Sequence, residues 1–186
     1  MIKLGRDVDL AELPVLHSWP QEAGRVLTCG QVFTKHPGTG ERSVGAHPLQ
    51  VQGRNACTLH WDLHDGGYRN FLEYRKLGTQ MPVAVSLGGD PVLPYLATAP
   101  LPPQTDPCLL GGLLRGTPVD LVKCRTQDLE VPASAEIVIE GFVDPTETWQ
   151  PAGAYGAPTG FYSLPDPLPL LQITAITQRA NPIYPA

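Results

Sequence analysis

Short apolar runs separated by turn residues dominate this chain, and they predict many short strands. The turn signals are the segments 36–40 (HPGTG) and 53–55 (GRN), which lie between the first three runs. The segment PVAVSL has the continuous apolar character of a buried strand. The predicted strands cover residues 25–34, 43–51, 56–63, 82–87, 119–123, 136–142 and 170–177.

Three segments have helical character instead. Residues 68–77 place apolar side chains at helical spacing and stop at Gly78, a favourable C-cap. Residues 90–97 predict a short helix with Asp90 as N-cap and Pro91 at the first helical position, and residues 108–115 predict another. The proline-rich residues 100–107 are expected to be loop. Many strands with few short helices predict one α+β domain, mainly β, built as a closed or split β-barrel.

Composition narrows the class of protein. Of 186 residues, 42% are apolar and 17% charged, as in globular proteins, and the 21 prolines and 19 glycines indicate many tight turns. The net charge of −5 without a basic cluster argues against nucleic-acid or anionic-membrane partners. No apolar run suits a membrane span, and no signal peptide is recognised, so we expect a cytoplasmic protein. The four cysteines form no Cys-x-x-Cys pair and are expected to be reduced.

A few polar residues could carry chemistry, and each has an ordinary explanation. His60 and His64, four residues apart, suit a metal or phosphate contact or simply a surface histidine. Glu136 and Glu140 share one strand face, as a carboxylate pair or as part of an exposed face. For the dipeptide 123–124 (Lys-Cys), buried strand packing is favoured over an activated nucleophile, and Ser134 lacks a Gly-x-Ser-x-Gly motif.

The segment LLRGTPVDLVKCRTQDLEVPASAEIVIEG, residues 113–141, resembles the middle domain of UbiD-type decarboxylases, which use a prenylated flavin. Segments 13–20, 32–35, 81–90 and 173–179 resemble the same family in the same order. The resemblance is greatest to the branch associated with menaquinone synthesis. It implies a flavin-binding split barrel over residues 1–186, without the family's N-terminal α/β and C-terminal oligomerisation domains.

The resemblance also implies a cofactor site. In the family, manganese or magnesium, with a nearby potassium ion, clamps the phosphate of prenylated FMN through Asn, His and Glu ligands, which suit hard cations. The family motif Asn-Val-Gly-Thr-Tyr-Arg reads SVGAHP here, so Ser43 replaces the Asn and Gly45 is retained. His64 matches the His ligand. The Glu position falls on Pro107, and the neighbouring Asp106 could replace it.

The catalytic positions that the resemblance implies carry no catalytic group. The family's arginine falls on Pro48, and its two carboxylates fall on Ala152 and Ala157, in AGAYGA where the family has Glu-Gly-Pro-Tyr-Gly-Asp. Proline cannot imitate a guanidinium, and alanine cannot carry a proton, so general acid–base catalysis worth about 10²–10⁴-fold is lost. The glycines at 153, 156 and 160 are expected where positive φ is required.

Two functions therefore follow as expectations. The first is a pseudoenzyme or accessory subunit that binds a flavin or nucleotide phosphate, beside a full-length UbiD-like subunit or in a homo-oligomer. The second is an active prenylated-FMN-dependent decarboxylase of aromatic or α,β-unsaturated acids, linked to quinone biosynthesis, which recruits Asp106, Glu147 or a partner's residues. A remnant without an independent role is the third possibility.

Overall fold

A computed structural model describes residues 1–102, 105–157 and 159–186. Within them lie the helices α1 (Gly66–Leu77), α2 (Val92–Thr98) and α3 (Pro107–Arg115), and two short 3₁₀ turns near the N-terminus. The strands are β1 (Ile2–Leu4), β2 (Val26–Leu27), β3 (Gln31–Lys35), β4 (Arg42–Ala46), β5 (Leu49–Val51), β6 (Ala56–Leu59), β7 (Met81–Leu87), β8 (Leu121–Lys123), β9 (Glu130–Pro132), β10 (Ile137–Val143), β11 (Gln150–Ala152), β12 (Asp166–Leu168) and β13 (Leu170–Gln178).

One large antiparallel sheet has the strand order β2-β5-β6-β13-β10-β7-β3-β4, with β1 added alongside β13. Consecutive strands β2 and β3 lie near opposite ends of this order, and so do β4 and β5. Because the connections between them are short, the sheet must curl until its two ends approach each other. The predicted mainly β, split-barrel fold with a few short helices is confirmed.

Two segments that were each predicted as one strand form two strands, and the curl of the sheet explains why. The predicted strand 25–34 is interrupted between Leu27 and Gln31, and the predicted strand 43–51 is interrupted at His47 and Pro48. At each interruption the chain leaves one end of the sheet and joins the other, so continuous pairing is impossible. Pro48 suits this crossing because it has no N–H to leave unpaired.

The core lies inside the curled sheet. Strand β7 is buried on both faces, and β10 beside it contributes Ile137 and Ile139. Helix α1 covers the sheet with Phe71, whose ring centroid is 5.6 Å from that of Trp61. At the β10 bulge beside Gly141, a Cβ would overlap the carbonyl oxygen of Gln172, which explains the glycine.

The helix ends follow from local sequence. Gly78 ends α1 with φ 64°, as predicted. Asp90 accepts a hydrogen bond from the Val92 nitrogen at 2.9 Å, as expected of a capping residue. Helix α1 starts at Gly66, two residues earlier than predicted. In the predicted loop 100–107, Pro107 is instead the first residue of α3, and residues 103 and 104 lie outside the described residues.

One prediction about polar faces is wrong. Glu140 is not on an exposed strand face but is 1% exposed. Its oxygens accept hydrogen bonds from Arg125 and Thr126, in the turn between β8 and β9. The short strands β1, β9, β11 and β12 were not predicted, because each is only three residues long. Among the described residues, no helix is long and apolar enough to cross a membrane.

Candidate functional site

A cleft of about 1070 Å³ opens between β4, the start of α1 and the described ends of the segment that links α2 to α3. We call it the α1 cleft. Ser43, Gly45, His64 and Asp106 all line it. The structure thus brings together the four residues for which sequence predicted cofactor or metal contact.

Strand β4 presents Ser43, Gly45 and, just past its end, His47 on one face, because successive side chains alternate. A Cβ on Gly45 would overlap the imidazole of His47, so the glycine leaves the space that this ring fills. The His47 side chain is 8% exposed, and its Nδ1 lies 3.4 Å from Oδ2 of Asp65. Burial lowers the pKa of His47, and the nearby Asp65 opposes that shift. His47 was not predicted from the sequence. Residues two apart on a strand share a face, so its position after Ser43 and Gly45 indicates that it lies on the same face.

The first residue of α1, Gly66, also lines the α1 cleft, and the first N–H groups of a helix have no partner within that helix. Asp65 precedes the helix but makes no side-chain cap, and its Oδ2 accepts from the Asp62 nitrogen at 2.8 Å instead. A Cβ on Gly66 would overlap the hydroxyl of Ser43 and lie 3.8 Å from Nη2 of Arg69. The hydroxyl of Ser43 and the guanidinium of Arg69 therefore both lie near Gly66, at the helix end whose dipole favours anions.

The residues predicted to hold a metal are placed less favourably. Asp106 caps α3 by accepting from the Cys108 nitrogen at 2.9 Å, and its other oxygen pairs with Arg42. His64 is exposed in the turn before α1. Within the described ranges, no three His, Cys, Asp or Glu side chains cluster as metal ligands.

The positions predicted to have lost catalytic groups lie outside the lining of the α1 cleft. Ala152 is buried in β11, opposite Asp166 of β12. The nitrogen of Gly153 donates to Oε1 of Gln50, which ties the segment to β5 and so to Pro48. Ala157 follows Gly156, which forms an isolated bridge with Tyr162.

The sequence predicted that Gly153, Gly156 and Gly160 occupy positions that need positive φ, and this prediction is wrong for the first two. Only Gly160 has positive φ, at 85°. Gly153 and Gly156 are needed for close approach, because a Cβ would overlap Ala23 in the first case and Trp19 in the second. Packing rather than backbone conformation therefore requires these two glycines.

Sequence reasoning also missed the buried Glu22. Its Oε2 accepts from the nitrogens of Ser18 and Trp19 at 3.0 and 3.1 Å, and its Oε1 accepts from the Gly156 nitrogen at 3.2 Å. Glu22 thus places a carboxylate against the segment that contains Gly156. No local pattern could reveal it, since Gly156 is 134 residues away.

Other candidate residues lie elsewhere. His60 does not line the α1 cleft, and Glu147 lies in an exposed turn after β10. Cys124 packs against a buried apolar cluster, and burial raises its pKa to about 12, which agrees with a packing role. Ser134 is partly buried and accepts from Arg179 through its carbonyl.

Comparisons with known proteins agree over the whole chain. The family model described as UbiD, 3-octaprenyl-4-hydroxybenzoate carboxy-lyase Rift-related domain, matches residues 1–186. An uncharacterized protein of Aquifex aeolicus (strain VF5) is 46% identical over 178 residues, which covers 96% of this chain and 37% of that protein.

Many solved structures are similar to this fold. An evolved dimeric form of the UbiD-class enzyme HmfF from Pelotomaculum thermopropionicum, in complex with prFMN, has a TM-score of 0.94 at 30% identity, covering 99% of this chain and 43% of that chain. The closed form of the vanillic acid decarboxylase ShVdcCD of Sedimentibacter hydroxybenzoicus has a TM-score of 0.93 at 26% identity, covering 99% and 40%. The chain spans less than half the length of these relatives.

Proposed function

This chain belongs to the UbiD carboxy-lyase family as its Rift-related domain, and from that membership we propose that it binds a flavin phosphate but does not catalyse decarboxylation by itself. The single observation that carries the proposal is a contrast between two regions. The polar and glycine residues for which cofactor contact was predicted line one cleft. By contrast, Pro48, Ala152 and Ala157 have no ionisable side chain.

Flavin binding is supported by the size and lining of the α1 cleft. Its volume of about 1070 Å³ is at the upper end of ordinary ligand pockets. Ser43 and Arg69 both lie near Gly66 at the start of α1, where a phosphate would be stabilised by backbone N–H groups. The related HmfF was solved with prFMN. When bound in such enzymes, the prenylated flavin supplies an electron sink for loss of the substrate carboxylate.

The lack of catalysis is supported by the chemistry of the replaced positions. Proline at 48 gives no forked donor for a substrate carboxylate. Ala152 is 5% exposed, and alanine at 152 and 157 carries no proton. We propose that the protein acts as an accessory subunit, in a homo-oligomer or beside a longer UbiD-class subunit that supplies these groups.

The test is reconstitution of the purified protein with prenylated FMN. We expect FMN and prenylated FMN to bind, as followed by flavin fluorescence, and no carbon dioxide release from aromatic or α,β-unsaturated acids. Turnover above that of the free flavin would reject the absence of catalysis. Absence of flavin binding would reject the other half of the proposal. Size-exclusion chromatography with light scattering tests the homo-oligomer.

A working decarboxylase, with a role in quinone biosynthesis, is the second candidate, and Glu22 favours it. This buried carboxylate touches the segment 153–156, so it could replace a lost acid. Against it, both oxygens already accept from backbone nitrogens. If reconstituted protein is active, Glu22→Gln should abolish turnover while flavin affinity is kept. Loss of folding in the same variant would indicate that Glu22 only anchors the segment.

A further inference from the structure

We propose that Asn70 is a specificity-determining residue of the α1 cleft, and that its amide oxygen accepts a hydrogen bond from a hydroxyl on the sugar-alcohol chain of the ligand. The inference deepens the proposed function, because it rests on flavin-phosphate binding in this cleft and adds a group that distinguishes one ligand from another. Asn70 was not predicted from the sequence, and the family resemblance implies no role for it.

Asn70 is buried and nevertheless borders the cleft. The residue lies in the second turn of α1 and is only 6% exposed, yet it is part of the lining of the α1 cleft. Its Nδ2 donates to Oγ1 of Thr34 at 3.0 Å, and Thr34 is itself 1% exposed. This buried hydrogen bond fixes the orientation of the amide and leaves its oxygen as the acceptor that an internal partner does not occupy.

The amide oxygen of Asn70 faces open space rather than packed protein. Among the described residues, no group donates a hydrogen bond to this oxygen. In the same part of the chain, the only fully enclosed side-chain nitrogen or oxygen without a partner is Nε1 of Trp61. The oxygen of Asn70 is therefore not enclosed, and the open space that the residue borders is the α1 cleft. Water or a ligand in the cleft is then the partner that such an acceptor needs.

The pairing of β3 with β4 places Asn70 next to the start of α1. Thr34 is opposite Ser43 in the antiparallel register, so their side chains are neighbours on one face of the sheet, and α1 contacts both strands. The hydroxyl of Ser43 lies near Gly66. Asn70, bonded to Thr34, is four residues and about 6 Å further along the helix. A ligand phosphate beside Gly66 would therefore leave the chain attached to that phosphate beside Asn70.

The chemistry of an amide oxygen selects the group that it contacts. The oxygen accepts hydrogen bonds and donates none, so it favours a hydroxyl or N–H group of the ligand over an anionic oxygen. In FMN the atoms next to the phosphate belong to the ribityl chain, which carries hydroxyl groups, whereas the ring N–H lies at the opposite end of the molecule. The ribityl hydroxyls are therefore the donors that Asn70 meets.

The experiment compares the affinities of the full chain for two ligands by flavin fluorescence. One ligand is FMN, and the other is an analogue in which a pentyl chain without hydroxyls joins the ring to the phosphate. We expect the wild type to bind FMN at least about tenfold more tightly, because the analogue leaves the amide oxygen unpaired. Asn70→Leu should bind both ligands with similar affinity. Asn55→Leu is the matched control, since Asn55 is exposed and lies outside the cleft lining, and it should keep the full preference for FMN.

Two results would overturn the inference while leaving flavin binding intact. They are equal affinities of the wild type for FMN and the analogue, and a full preference for FMN in folded Asn70→Leu. If that variant does not fold, the side-chain NH₂ resonances of Asn70 in the wild type decide instead. They should shift on addition of FMN but not of the analogue, and the absence of a shift with bound FMN overturns the inference. If the wild type binds neither ligand, the proposed function fails and this inference fails with it.

Discussion

The buried carboxylate of Glu140 accepts two hydrogen bonds from Thr126, one from its backbone nitrogen at 2.7 Å and one from its hydroxyl at 2.9 Å. A third donor, the nitrogen of Arg125, reaches the other oxygen at 2.9 Å. The carboxylate on β10 thereby holds the turn that joins β8 to β9. Because Glu140 is 1% exposed, water cannot replace these partners without a rearrangement.

Glu140→Gln should therefore destabilise the protein. One carboxylate oxygen becomes an amide NH₂ group, which cannot accept from the backbone N–H of Arg125 or Thr126, so a hydrogen bond to the buried side chain is lost at a cost of about 1–3 kcal/mol. Urea unfolding followed by circular dichroism measures the change. The exposed Glu41→Gln is the control and should stay within about 0.5 kcal/mol of the wild type. Equal stabilities for the two variants would contradict the anchoring role.

Two adjacent glycines of α3 should respond in opposite directions to alanine. A Cβ on Gly112 would meet its nearest atoms at 3.6 Å, an ordinary contact, so Gly112→Ala should stabilise by about 0.5–1 kcal/mol through reduced backbone entropy of the unfolded chain. A Cβ on Gly111 would lie 2.8 Å from Cδ1 of Leu96 and 2.9 Å from Cγ2 of Val119. Gly111→Ala should lower the melting temperature, and a rise in both variants would refute the tight packing of α3 on α2.

The four cysteines should react with a thiol reagent at different rates. Burial raises the pKa of Cys57 and Cys124 to about 12 and that of Cys108 to about 11. At pH 8 the thiolate fraction at a pKa of about 12 is on the order of 10⁻⁴, so these thiols should react slowly. Titration with Ellman's reagent should give one rapid equivalent, from the partly exposed Cys29, and four after denaturation. A Cys29→Ser variant that keeps the rapid phase would show the assignment to be wrong.

Stability should fall as the pH drops through the range in which an unfolded histidine titrates. The folded-state pKa of His47 lies below its ordinary 6.5 because burial disfavours the imidazolium, with Asp65, Asp62 and His60 as its charged neighbours. The unfolded chain then binds a proton below about pH 6.5 that the folded chain does not, so His47 favours folding above that pH and the benefit fades below it. Urea midpoints at pH 7.5 and 5.5 should differ less in His47→Gln than in the wild type. An identical difference would exclude His47 as the cause.

Local sequence patterns predicted much of the architecture. The apolar runs located β7, β10 and β13 to within a residue or so, and Gly78 marked the end of α1. These features depend on residues a few positions apart, which act on one another through backbone conformation and side-chain alternation. The resemblance named four residues that line the α1 cleft, Ser43, Gly45, His64 and Asp106.

Tertiary structure alone decided which polar groups are buried and what they contact. Glu140 reaches a turn 14 residues away, and Glu22 reaches Gly156 across 134 residues. Ser43 and Arg69 both lie near Gly66 only because β4 lies against the start of α1. The sequence shows that a carboxylate or guanidinium is present, but it does not show whether that group lies in solvent or in a cleft. Its partners depend on how the sheet curls, and that curl is a property of the whole chain rather than of any short segment.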